Sequence, residues 1–148
     1  MLIKTLQSLF TRDLNRLRNE IELYTKEEKI WKVEGNISNS AGNLCLHLVG
    51  NLNTFVGKEL GNTGYIRNRE SEFSLKNIPR QELVRKIDDT IEVVNKTLDN
   101  LDESSTKNDY PVIVFEERTT IEYLLVHLVT HLSYHLGQVN YHRRMIDL

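Results

Sequence analysis

Four long stretches of this chain carry leucine, isoleucine and valine at helical spacing, and only two prolines and seven glycines interrupt its 148 residues. Apolar side chains repeating every three to four positions build a helix with one greasy stripe, which must be buried against other helices. The first stretch covers about residues 2–29, with Leu6, Leu14, Leu17, Ile21 and Tyr24 on one face. The second covers about residues 41–60; Ser38, Asn39 and Ser40 are its capping candidates and Gly61 its expected left-handed stop. The third opens at Asn77-Ile78-Pro79, with proline in the first turn, and carries Leu83, Ile87, Ile91, Val94 and Leu98. A polar loop, 102–109, ends it. The fourth opens with Thr119-x-x-Glu122, a capping-box pattern, and runs to about Ile146. The pattern predicts an all-α four-helix bundle in a single domain, residues 1–148.

The links are long. Residues 62–76 read as a loop holding Tyr65, Arg67, Arg69, Glu70 and Phe73, and YPVIVF at 110–115 as an extended crossover without a partner strand. Long connections on both sides of the third helix favour a bundle that is not simply up-down-up-down.

A net charge of −2 argues against a general nucleic-acid binder. No apolar run approaches the roughly 20 residues needed to span a bilayer. The opening MLIKTLQSLFTRDL lacks a cleavage-site pattern, so it is not read as a signal peptide. Cys45 stands alone and is expected to be a small buried hydrophobe. A cytoplasmic protein is expected.

The chemistry lies in the histidines. The last helix carries His127, His131, His135 and His142. Residues four apart on a helix differ by about 40° in azimuth and about 6 Å in rise, so two such imidazoles can reach one ion. The apolar arc of Leu124, Leu125, Leu128, Leu132, Leu136 and Val139 includes His135 and has His131 at its edge, while His127 lies further out. The geometry favours His131 with His135. On the second helix, His47 flanks the face of Leu44, Leu48, Leu52 and Phe55, and Asn51 faces inward one turn on, able to orient a ligand or a bound water. Three neutral imidazoles meeting between two helices leave a metal with an open position. Imidazole suits zinc, nickel, copper or iron. The competing reading is of satisfied core histidines that only hydrogen-bond, and it applies first to His127 and His142. Arg67 and Arg69 read as a solvated pair, Trp31 and Phe73 as packing. A His-Glu-x-x-His metalloprotease is excluded, because Leu132 stands where the glutamate base belongs.

The stretches NSAGNLCLHLVGNL at 39–52, RNRESEF at 67–73 and HLSYHLGQ at 131–138 together resemble the DinB-like superfamily, metal-dependent four-helix bundles related to bacterial thiol transferases. The resemblance covers almost the whole chain. It implies a histidine triad at His47, His131 and His135, a divalent metal, usually zinc or nickel, and often a homodimer. It further implies transfer of a low-molecular-weight thiol to an electrophilic small-molecule substrate, or a related hydrolysis. Asn51 and Gln138 are the accompanying candidates for supporting a ligand or touching substrate. The alternative is a non-catalytic metal-binding stress or scaffold protein. Members of that superfamily often place arginine after the last ligand, where this chain has Leu136. A basic substrate contact would then come from elsewhere, with Arg67 and Arg69 as candidates.

Overall fold

A computed structural model describes residues 1–148 throughout. It is all-helical, a helical bundle without strands. Five helices are named here: α1 Leu2–Leu23, α2 Ala41–Leu52, α3 Arg69–Ser74, α4 Arg80–Asp99 and α5 Ile121–Ile146. Helix α2 runs on through a wider π turn, Asn53–Lys58, into Glu59–Gly61. Short 3-10 turns at Glu27–Trp31 and Glu103–Lys107 punctuate the links.

The apolar stripes meet as their spacing requires. Leu6, Phe10, Leu14, Leu17 and Ile21 of α1 are buried with Leu48 and Leu52 of α2, Leu83, Ile87 and Leu98 of α4, and Leu124, Leu125, Leu128 and Leu132 of α5. Each such side chain contributes about 1.5–3 kcal/mol on burial, enough to hold an amphipathic helix whose other face is charged. Helix α1 packs mainly on α4 and α5, and α2 packs on the same two. The consecutive long helices α1 and α2 therefore face each other across the bundle, which is why a long link, residues 24–40, joins them.

Several boundaries differ from the pattern. Helix α1 stops at Leu23, not near Lys29. Tyr24 turns extended because its ring is buried and its hydroxyl reaches His142, while the Asp147 carboxylate accepts hydrogen bonds from the Thr25 and Lys26 amides at 2.7 and 3.2 Å. This end is made by tertiary contacts, not by a local breaker. Ser40 is the α2 cap, accepting from the Asn43 amide at 3.1 Å. The left-handed residue that ends the α2 extension is Asn62, φ 53°, rather than Gly61. Thr120, not Thr119, caps α5 by accepting from the Tyr123 amide, and Glu122 pairs with Lys107 instead of completing a box. Residues 62–76 hold a helix, α3, where a loop was expected. The 110–115 crossover has no strand partner; a lone antiparallel bridge, Asp109 to Thr120, pins its base. No helix is long and apolar enough to cross a membrane.

Candidate metal centre

Helix α2 supplies His47, and one turn apart on α5 stand His131 and His135. Each offers one ring nitrogen, and these three atoms lie within 4.8 Å of one another, a group that can hold a metal ion. The Nε2 atoms of His47 and His131 are 3.3 Å apart. Two nitrogens bound at about 2.0–2.1 Å to one tetrahedral ion would stand about 3.3–3.4 Å apart, so this spacing fits. The His135 ring meets both others edge-on, with centroids 4.6 Å from His131 and 5.3 Å from His47.

The outer nitrogens fix which ring atoms are bare. His47 Nδ1 lies 3.1 Å from Glu72 Oε1, and a carboxylate only accepts, so Nδ1 is the donor and Nε2, facing His131, is the atom left to bind an ion. His135 Nδ1 likewise faces the Gln138 amide oxygen at 2.7 Å. Glu72 is itself clamped by Arg67, whose Nε and Nη2 donate at 2.8 and 3.0 Å. Burial works to raise the Glu72 pKa, but the His47 and Arg67 hydrogen bonds and the guanidinium charge outweigh it and hold the pKa below its ordinary value. The carboxylate is therefore ionised behind His47 at neutral pH. Helix α2 admits it only because position 50 is glycine: a Cβ on Gly50 would run into the carboxylate.

His131 is pushed down to about 4, first by burial and then by His135, His47, His127 and Arg67 around it. Burial, with His47, also lowers His135, against the raising effect of Gln138. Both imidazoles are neutral at pH 7, the form a metal requires. His131 Nδ1 and Asn51 Oδ1 are buried without a hydrogen-bond partner in the protein. One can donate and the other accepts, and both residues line the same cleft, of about 240 Å³.

A family model matches residues 2–147, and its description is a protein of unknown function, DUF1572. The chain belongs to the DUF1572 family. No curated protein matches it. All three histidines of this DUF1572 chain fall inside the matched stretch.

The remaining residues singled out in the sequence fall into place around the centre. His127 stacks on His131 with centroids 6.1 Å apart and packs edge-on against Phe115, outside the three-nitrogen group. His142 is buried and fully hydrogen-bonded, to the Tyr24 hydroxyl at 2.6 Å and the Lys32 carbonyl at 2.7 Å. Cys45 is buried, and burial pushes its thiol up to about 12, so it is inert. Trp31 is core, and Phe73 packs against His47 at 5.0 Å. The reading of Arg67 and Arg69 as a solvated pair is corrected. Arg67 is tucked in against Glu72, and only Arg69 stays exposed, its guanidinium over the Phe73 ring at 5.3 Å. Glu72 is the important residue that pattern reasoning missed. Its one available signal was Gly50, a glycine in mid-helix beside two inward polar positions.

Proposed function

We propose that this DUF1572 protein is a metal-dependent enzyme of the DinB-like type. His47, His131 and His135 hold one divalent transition metal, zinc or nickel, and a low-molecular-weight thiol is transferred there to an electrophilic small molecule. The observation that carries the reading is the convergence of three imidazole nitrogens within 4.8 Å, two of them with their lone pairs set by outer partners. The DinB-like resemblance of the three quoted stretches supports the class of reaction. When bound, such an ion supplies Lewis-acid stabilisation of a sulfur anion at neutral pH.

The protein's own residues do the rest. Glu72 holds the His47 ring in one tautomer and adds negative charge behind it, and Arg67 keeps that carboxylate ionised and aimed. Gln138 orients His135. Asn51 serves His131 as acceptor through one bridging water, which gives each of the two unpartnered atoms a use. Three protein donors leave a fourth position for substrate, as in catalytic rather than structural zinc sites. Leu132 beside His131 leaves no carboxylate there to act as a hydrolytic base, which favours a substrate that brings its own nucleophile.

The test is elemental analysis of protein purified without a histidine tag. Wild type and His127→Ala should carry metal, while His47→Ala, His131→Ala and His135→Ala should not. Metal in all five proteins would mean the ligands are misassigned. Metal-loaded protein should then consume thiol in the presence of electrophiles; retained metal with no turnover across a panel of both would leave a metal-binding scaffold instead.

A further inference from the structure

Two clefts flank the three histidines, and they differ in charge. The wider, about 480 Å³, reaches His135 and is lined by Leu44, Tyr134, Gln138, Tyr141 and Met145 without a single Lys, Arg, Asp or Glu. The narrower, about 240 Å³, reaches His47 and His131 and is lined by two arginines and no carboxylate. Arg67 is already balanced by Glu72, which stands behind it rather than in the cleft. Arg69 is in no ion pair; its guanidinium only lies over Phe73. The cleft therefore carries one uncompensated positive charge. It also carries Asn51, 8% exposed: its Oδ1 is buried without a partner, and its side-chain nitrogen donates to no protein group. Phe55, Val114, Leu124 and Leu128 make the walls apolar.

We infer that the narrow cleft is a binding site for the carboxylate end of a small organic acid, received by the Arg69 guanidinium and the Asn51 amide nitrogen. An unbalanced guanidinium offers a planar fork that matches a carboxylate. The Asn51 side-chain nitrogen is a donor without a protein acceptor in the same cleft, and a carboxylate supplies one. Apolar walls with a few convergent polar groups are the usual make-up of a small-molecule site, and this volume lies below the common range of about 300–1,000 Å³, so the ligand, or the end that enters, is small. An uncharged organic body has the wider neutral cleft. That the ligand turns its reacting end toward the three histidines rests on the function proposed above; the anion site does not.

The experiment titrates the whole 148-residue chain, ¹⁵N-labelled, zinc-free and zinc-supplied, with propionate and with propan-1-ol. Propionate is expected to shift the Arg69 guanidinium and Asn51 side-chain amide signals saturably, and propan-1-ol is not. Arg69→Ala should weaken propionate binding about tenfold, the scale of a lost charge-assisted pair. Arg69→Lys should fall between, because an ammonium keeps the charge and loses the fork. The Arg69 dependence should be the same with and without zinc. Equal binding of the two probes, unchanged propionate affinity in Arg69→Ala, or shifts confined to Gln138 and Tyr141 of the wider cleft would each overturn the assignment. Failure of the metal reading has a different signature: no zinc retained, with the Arg69-dependent propionate response intact.

Discussion

His142 and His131 stand on the same helix, about three turns apart, and the fold treats them in opposite ways. Both ring nitrogens of His142 are occupied: the Lys32 carbonyl accepts from Nε2–H, and the Tyr24 hydroxyl donates to Nδ1. Nothing is left for an ion. His131 has one nitrogen without any partner and the other facing a second imidazole nitrogen at 3.3 Å. Burial does not separate the two, since desolvation lowers the pKa of both. What separates a packing histidine from one ready for a ligand is whether its lone pairs are already committed.

The largest test of this contrast exchanges the two. His131→Ala should bring metal content to background, while His142→Phe should retain the wild-type ratio, both read by elemental analysis. Loss of metal in a folded His142→Phe protein would erase the distinction. Next comes the support behind His47. Gly50→Ala drives a methyl into the Glu72 carboxylate, so zinc affinity should fall about 10–100-fold, as for other ligand-supporting contacts, in a chelator competition. Helix content by circular dichroism should not change; unchanged affinity would show that Glu72 is incidental.

At the other end of α5 the cost falls on stability. His142→Phe leaves the Tyr24 hydroxyl and the Lys32 carbonyl without partners and should lower unfolding free energy by about 1–3 kcal/mol in urea. The smallest effect is its pH dependence. Burial holds the His142 pKa below the ordinary 6.5, against the raising pull of the Lys32 carbonyl. The unfolded chain therefore takes up the proton first as pH falls. The contribution of His142 is full above about pH 6.5 and is lost as pH drops through the folded value. His131 and His135 act in the same direction in metal-free protein, so the comparison is of slopes: below pH 6.5, His142→Phe should lose stability less steeply than wild type. Parallel slopes would contradict the assignment.

The parts legible in the sequence are those set by local periodicity. Leucine spacing in α1, α4 and α5 and the i, i+4 pair of His131 and His135 need only helical geometry, and the inward turn of His47 follows from its place beside Leu44 and Leu48. What was hidden depends on contacts distant in sequence. The early end of α1 rests on Asp147, more than a hundred residues away. The role of Glu72 was masked by its neighbours Arg67, Arg69 and Glu70, because one buried carboxylate in a charged stretch looks like the exposed ones. Thr119 and Thr120 are equally good caps by composition, and only the bridge that holds Asp109 to Thr120 chooses between them.

Eighty-four positions separate His47 from His131. An ion shared between them would cross-link the second helix to the last, and the unfolded chain would offer no equivalent pocket. Each tenfold rise in free ion above the dissociation constant would then add about 1.4 kcal/mol to the resistance of the whole molecule to unfolding. The thermal midpoint of such a chain becomes a gauge of metal supply, and starvation for the ion would expose it to proteolysis before any change in its amino acids did.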